Sequence, residues 1–264
     1  MTLMAHPPMA HSPMAHPLDG RVALVTGGAG GLGRAICAAL AHAGAAVVVR
    51  FHRSADAANA LAASLPVATL PHCALAAPVT ASAGLSALAN ELTRRYGRLD
   101  ILVNCAGTTR FVAHPDLDSL DDALIDEILA TNVRGPFAMV RALRPLLVKG
   151  SDALVVNISS IASTSAMGSN IIYCASKAAL DNMTKSLARA LAPTIRVVSV
   201  SPGLVETDFV KQMDDHWRAE QAARTPLGRL TQPSEVAQAV LAAATHLTFS
   251  TGNIINVDGG RPLS

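Results

Sequence analysis

The sequence predicts a doubly wound α/β domain built on a mostly seven-stranded parallel sheet flanked by helices, and three observations carry that expectation. From Arg21 onward, short β-branched runs alternate with Ala/Leu-rich stretches, and a chain that returns to a parallel strand needs a crossover helix each time. The first such run leads straight into a glycine-dense turn, Thr26 to Gly33, the kind of turn that joins a strand to a helix at the ligand-binding edge of an open sheet. The length of 264 residues suits one generous α/β domain and is short for two. Half of the residues are apolar and 15% are charged, so a single core can be filled; aromatics at 3% leave the packing to Ala, Val and Leu.

Taken in order, strands are expected near Val22 to Thr26, Ala46 to Phe51, Val67 to Cys73, Ile101 to Asn104, Ala153 to Ser159, Ile195 to Ser201 and Ile254 to Val257, with helices filling the gaps. Gly44 reads as a helix stop, and Thr231-Gln232-Pro233-Ser234-Glu235 as a helix start with proline in the first turn. Ahead of the domain, expected over residues 18–264, the first seventeen residues repeat a Met-Ala-His-Pro theme. Proline at that density forbids helix and nothing alternates as a strand would, so residues 1–17 read as a disordered tail. His6, His11 and His16 could chelate a divalent ion together, but a solvated extension without a metal is the reading adopted.

Charge and cysteine content exclude several classes. The net charge of +2 comes from scattered Lys and Arg, with no basic block, so nucleic acid is not an expected partner. Cys37, Cys73, Cys105 and Cys174 are irregularly spaced without a CxxC pair, which indicates neither a zinc site nor a disulfide framework. No apolar run approaches the ~18 residues that span a bilayer, and the N-terminus lacks the apolar core of a secretion signal. A cytoplasmic protein is expected.

The glycine turn contains GxGxxG as Gly28-x-Gly30-x-x-Gly33 and also TGxxxGxG from Thr26, so the frame alone is ambiguous. Glycines let the backbone approach a pyrophosphate, and the free N–H groups of the following helix point at that anion. A phosphate-binding loop of the nucleotide-hydrolase kind is excluded, since no Lys-Ser or Lys-Thr follows. A dinucleotide fold that prefers NAD usually ends its second strand in a carboxylate for the adenosine ribose. Here the stretch reads Val49-Arg50-Phe51-His52-Arg53-Ser54, with no acid before Asp56. Arg53, His52 and the Ser54 hydroxyl suit a 2′-phosphate. At ~1.5 to 3 kcal/mol for each charge-assisted bond, two contacts favour NADP(H) over NAD(H) by orders of magnitude. The competing interpretation makes Arg50 and Arg53 ordinary solvated charges.

The second strong signal is Tyr173-Cys174-Ala175-Ser176-Lys177 at the head of a long helix, where Tyr173 and Lys177 share a face as i, i+4 neighbours. A free phenol titrates near ~10 and is a poor proton donor or acceptor near neutrality. An ammonium ~4 Å away stabilises a phenolate by ~4 kcal/mol at an effective dielectric of 20, enough to bring such a group towards its working range. Upstream, Val155-Val156-Asn157-Ile158-Ser159-Ser160 delivers a hydroxyl pair at a strand's carboxyl end, where Ser160 could bond a substrate oxygen. The loops at Asn104-Cys105-Ala106-Gly107 and Ser201-Pro202-Gly203 complete a ring of residues fit to surround a nicotinamide.

In order and spacing, these motifs resemble the short-chain dehydrogenase/reductase family over nearly the whole chain, from Leu18 to Gly260. The match includes Thr26 to Gly33, Asn104 to Gly107, Asn132-Val133-Arg134-Gly135, the strand ending at Ser160, Tyr173-x-x-x-Lys177 and Pro202-Gly203. The resemblance implies a Rossmann fold and a tetrad: Ser160 orients the carbonyl, Tyr173 exchanges the proton, Lys177 assists the tyrosine and holds the nicotinamide ribose, and Asn132 supports a water relay. It implies cofactor contacts from Gly27, Gly31, Leu32, Gly33, His52, Arg53, Ser54, Asn104, Ala106, Gly107, Tyr173, Lys177, Pro202, Gly203, Val205 and Thr207, and a homotetramer or homodimer paired through the helices near Asn132 and Tyr173. Departures are Cys105 for the second Asn of NNAG, Ser201 before Pro-Gly, Gly31 where strongly NADP(H)-preferring relatives carry a base, and Cys73-Ala74-Leu75 where many relatives place an Asp against the adenine.

Specificity is expected in the loops Thr108 to His114 and Ile161 to Asn170 and in a lid from Glu206 to Arg224, holding Phe209, Met213 and Trp217. The chain resembles the β-ketoacyl-carrier-protein reductase branch, while Phe51 to Ala55 is similar to the cofactor turn of pteridine reductases. Reduction of a 3-oxoacyl thioester or related ketone is the leading expectation. Oxidation of a sugar, polyol or other secondary alcohol is the alternative reaction, and a non-catalytic NADP(H)-binding regulatory protein the alternative class.

Overall fold

The computed structural model describes residues 16–263 apart from Pro78 and Ala81, with the side chains of Ser82, Ala83 and Phe209 also outside the description. The tail expected over residues 1–17, with its His6 and His11, therefore lies almost wholly outside the described residues. The described chain enters the core at Leu18, which is fully buried and donates its N–H to the Ala43 carbonyl.

The elements follow the expected alternation: β1 (Val22–Thr26), α1 (Gly31–His42), β2 (Ala46–Phe51), α2 (Ala55–Ser64), β3 (Cys73–Ala76), α3 (Ser82–Tyr96), β4 (Ile101–Asn104), α4 (Asp122–Leu129), α5 (Gly135–Leu147), β5 (Ala153–Ile158), α6 (Ala162–Ser165), α7 (Ile171–Leu191), β6 (Ile195–Pro202), α8 (Asp208–Lys211), α9 (Asp215–Ala223), α10 (Pro233–Thr245) and β7 (Ile254–Val257). Seven strands form one sheet in the order β3-β2-β1-β4-β5-β6-β7, and every pairing is parallel. Strands such as β1 and β5 are buried on both faces, as a sheet covered by helices on each side requires. On one face Ala23, Val25, Val47 and Val49 pack against Ile36 and Leu40 of α1 and Val236 and Val240 of α10. On the other, Val22, Leu24, Val48 and Leu102 meet Leu85, Leu88 and Leu92 of α3 and Met139 and Leu143 of α5.

The third strand is a correction. Expected over Val67 to Cys73, it runs over Cys73–Ala76, with Cys73 opposite Val48. Pro66 and Pro71 cannot donate to a ladder, and Val67 is fully exposed. His72 occupies the approach instead: its Nδ1 accepts the Val47 N–H at 2.9 Å and its Nε2 donates to the Pro66 carbonyl at 2.7 Å. Both punctuation expectations agree with the structure. Gly44 adopts φ +99 just past α1, and α10 begins on a capping box between Gln232 and Glu235 with Pro233 in the first turn.

Candidate active site

The strand order reverses between β1 and β4, the place where open α/β sheets bind ligands beyond their carboxyl ends. Thr26 closes β1, and its buried hydroxyl oxygen accepts the N–H groups of Cys105 and Ala106, each at 2.9 Å. One side chain thus stitches the glycine turn to the loop after β4. Gly27 sits at φ +64, where a Cβ would come within 3.1 Å of the Ala106 Cα; backbone touches backbone there, and only glycine permits it.

The N-terminus of α1 opens beside this contact. Gly30 supplies no side-chain cap and the first turn carries no acidic residue. The N–H groups of Gly31, Leu32 and Gly33 have no acceptor among the described residues. Such an end attracts anions through its unsatisfied donors and its dipole. Thr207 faces it across the cleft, 3.5 Å from where a Gly31 Cβ would stand. Behind Thr207 the chain is held by Gly203 donating to the Val257 carbonyl, by the Pro202 carbonyl accepting from Ile161, and by a bridge from Val205 to Thr231. Free amides at a helix N-terminus, on a turn built of glycines, fit a pyrophosphate-linked dinucleotide. At the far side His52, Arg53 and Ser54 are exposed in one turn, and Ser54 leads into α2 without spending its hydroxyl on the cap. Arg50 is not the solvated charge of the competing interpretation: it is 2% exposed.

A second group converges on the same cleft from α7. Asn170 caps that helix, its Oδ1 accepting the Tyr173 N–H at 2.7 Å. Lys177, one turn on, is buried; its Nζ donates to the Ile158 carbonyl at 2.8 Å and lies 5.6 Å from the centre of the Tyr173 ring. It also lies 3.8 Å from where a Gly107 Cβ would be, so the Tyr173 helix and the loop after β4 meet at the ammonium. Asn132 sits not in a regular α-helix but in a π-type turn, Ala130–Arg134, between α4 and α5. A single wide turn of this kind often marks a functional position. Its amide exchanges two hydrogen bonds with the Thr108 backbone, 2.9 and 3.0 Å, and donates to Ser176 Oγ at 3.1 Å. Ser160, just beyond β5, accepts the Ala162 N–H at 3.2 Å, and no described acceptor takes its own hydrogen. The Cys105 thiol is pushed up to about 12 by burial, which suits a packing residue rather than a nucleophile.

The family model described as Enoyl-(Acyl carrier protein) reductase matches residues 27–261. The chain belongs to the short-chain dehydrogenase/reductase family, and it is an oxidoreductase. It is 38% identical over 244 residues to a Streptomyces violaceoruber protein that carries the name ketoacyl reductase 2 of the granaticin polyketide synthase, covering 92% of this chain and 96% of that one. It is 33% identical to the Thermotoga maritima 3-oxoacyl-[acyl-carrier-protein] reductase FabG, covering 92% of this chain and 98% of the relative. The Pseudomonas aeruginosa RhlG/NADP active-site complex superposes with a TM-score of 0.85 at 35% identity, covering 94% of this chain and 99% of that one.

Within this short-chain dehydrogenase/reductase, three side chains that shape the cleft were not singled out from sequence: Thr26 as a double acceptor, Asn170 as a cap, and Arg50 as a buried cation. Asn170 carried a readable signal, an Asn three residues ahead of Tyr173 at a helix start. The lid stretch folds as α8 and α9, with Met213 and Trp217 each more than a third exposed; the Phe209 side chain lies outside the described residues. No helix among the described residues is long and apolar enough to cross a membrane.

Proposed function

We propose that this chain is an NADP(H)-dependent reductase that converts the ketone of a 3-oxoacyl thioester, or a related ketone, to a secondary alcohol, with Ser160, Tyr173, Lys177 and Asn132 as its catalytic set. The observation that carries the reading is the placement of Lys177. Its ammonium is anchored on the Ile158 carbonyl, 5.6 Å from the Tyr173 ring centre and beside Gly107.

Gly27, Gly31, Leu32 and Gly33 would hold the pyrophosphate, and Asn104, Ala106, Gly107, Pro202, Gly203, Val205 and Thr207 would border the nicotinamide half. The exposed His52, Arg53 and Ser54 would take the 2′-phosphate, which supports NADP(H) over NAD(H). When bound, the cofactor supplies the hydride. Ser160 donates its unspent hydrogen to the substrate oxygen and orients the carbonyl. Tyr173 gives that oxygen a proton as it becomes an alkoxide. The fixed ammonium of Lys177 stabilises the phenolate left behind, and Asn132, locked by Thr108 and Ser176, keeps the ground behind Lys177 polar for proton return. Similarity to the ketoacyl reductases supports the substrate class, and the complex of RhlG with NADP supports the cofactor. Leu129 and Phe137, exposed at 38% and 44% on adjoining helices, support a homodimer or homotetramer paired through that face.

The test is NADPH consumption against a panel of 3-oxoacyl thioesters, diketones, quinones, pterins and sugars, with NADP+ reduction by polyols run in parallel. Turnover on the thioesters that Tyr173→Phe abolishes, with NADPH binding kept within a few-fold, is the expected result. Equal turnover by mutant and parent removes the mechanism, and turnover only on polyols reverses the direction of the reaction.

A further inference from the structure

The helix that follows the Thr207 wall of the cleft has no apolar anchor. α9 is nine residues long and buries none of them, and so short a helix has little stability of its own in water. Polar contacts must therefore fix where it lies. Towards its carboxyl end, Arg261 donates to the backbone carbonyl and the side-chain oxygen of Gln221, each at 2.8 Å, and Thr225 donates to the same carbonyl at 3.0 Å. From its first turn, the Arg218 guanidinium reaches back 3.7 Å to the carboxylate of Glu206.

Although the lid stretch opens on Glu206, that residue is fastened to the body. Its N–H donates to the Thr231 carbonyl at 2.8 Å, and its Oε2 accepts from the side-chain amide of Gln232, the residue that caps α10. One carboxylate thus faces both ways, towards the capped start of α10 and towards the lid. Thr207, the next residue, stands against Gly31 at the α1 N-terminus, and its carbonyl accepts the Lys211 N–H of α8 at 2.9 Å. A lid that lifts therefore pulls on the wall of the cleft. Arg218 also has a second partner: Asp215 on its own helix, 90% exposed, accepts from it too. On opening, the guanidinium passes to Asp215 and is not left bare. The contact with Glu206 is itself partly exposed, and such pairs are weak enough to break readily.

Building on the dinucleotide reading above, we infer that Glu206 and Arg218 are the latch of the lid. Joined, they hold α8 and α9 down on Thr207 and retain the cofactor; their separation sets the rate at which it leaves. Both act through Thr207 and are positioning residues. Opening of a lid limits turnover in many enzymes, so a single ion pair at this point tunes the whole cycle.

The experiment compares the full chain with Glu206→Gln, Arg218→Met and the double variant. NADPH release is followed by stopped-flow displacement, and lid position by emission from Trp217, the single tryptophan of the chain and the neighbour of Arg218 on α9, recorded with and without NADP+. Each single variant should release NADPH about fivefold faster, the effect of one broken surface ion pair. The double variant should be no faster than either, because both substitutions remove one contact. The change in Trp217 emission on NADP+ binding should shrink in all three variants, while the melting temperature without ligand stays level. Unchanged release in both single variants overturns the inference. So does a double variant whose effect is the product of the two, since the residues then act separately, and so does faster release that only accompanies a lower melting temperature, which makes the pair a structural brace. A parent that does not bind NADPH removes the dinucleotide reading itself, and this inference with it.

Discussion

Asn170 holds Tyr173 from the N-terminal side: its Oδ1 accepts the Tyr173 N–H at 2.7 Å while its Nδ2 donates to the Arg110 carbonyl at 2.8 Å and to Thr109 Oγ1 at 3.2 Å. A single buried amide therefore caps α7 and ties it to the loop after β4. Val112 donating to the Ser169 carbonyl closes the same seam. Asn170→Ala should cost about 1 kcal/mol of stability from the lost cap. It should also lower kcat about tenfold, the effect of roughly 1.4 kcal/mol on a barrier, because the phenol loses its fixed approach. The dissociation constant for NADPH should stay within twofold. Steady-state kinetics beside a fluorescence titration separates these effects; a lower melting temperature with unchanged kcat would restrict Asn170 to helix capping.

Gly33 tests the tight turn. A Cβ there would fall 2.2 Å from the Gly27 carbonyl oxygen and 2.8 Å from the Gly28 Cα, and both are backbone atoms that cannot swing aside. Gly33→Ala should destabilise the chain by about 1 to 3 kcal/mol, the usual range for overpacking, and weaken NADPH at least tenfold by shifting the α1 N-terminus. Gly31→Ala is the control, since its Cβ would meet only Thr207, at 3.5 Å. It should fold normally. Thermal melts of both variants decide whether strain at residue 33 is as sharp as the backbone contact requires.

The fold was legible where the physics is local. Six of the seven expected strands begin at the residue where the structure begins them, each on an apolar, β-branched run, and the α10 capping box is written within four residues, Gln232 to Glu235. β3 was misplaced because Val67 and Leu70 look strand-like alone, while Pro66 and Pro71 leave no ladder for them to join. Tyr173 and Lys177 were readable because four residues on a helix put side chains on one face. The isolation of Arg50, whose buried Nε and Nη2 find no partner among the described residues, was not readable: it arises from what Thr26 and Leu75 on neighbouring strands fail to offer, a property of register rather than of spacing. The π-type turn that turns Asn132 inward likewise has no local letter code in Ala130–Arg134.

Acid should weaken the α10 cap. The Arg229 guanidinium, followed by the Gln232 N–H, holds the Glu235 carboxyl down at about 2. A carboxylate lowered on folding contributes stability fully above its ordinary value near 4.5, and the contribution fades as pH falls towards 2. Both side chains are more than a third exposed, so solvent screening limits the gain to about 1 kcal/mol or less. Glu235→Gln keeps the capping geometry and removes only the charge. Its melting temperature should lie below the parent's at pH 7, and the gap should narrow below about pH 4.5 and close as pH approaches 2. Parallel curves over that range would show that the ion pair contributes nothing.

Asp100 governs the opposite edge of the sheet from the proposed site. Fully buried, it accepts the Val22 N–H at 2.8 Å, the Ser151 N–H at 2.7 Å and the Arg98 guanidinium. Its own backbone pairs with Val22 and Leu154, so one carboxylate locks the amino ends of β1, β4 and β5 together. Asp100→Ala strands the buried Val22 N–H and the Ser151 N–H and frees Arg98, whose side chain is 34% exposed, and a buried group left unsatisfied costs about 1 to 3 kcal/mol. Against a typical total of about 5 to 15 kcal/mol, that should lower the urea midpoint steeply. Because the strand tips at Thr26, Asn104 and Ser160 lie at the far end, kcat of the protein that remains folded should hold within twofold at low temperature. A variant with normal stability would mean that water replaces the carboxylate, and one with normal stability but lost activity would mean that the two ends of the sheet are coupled.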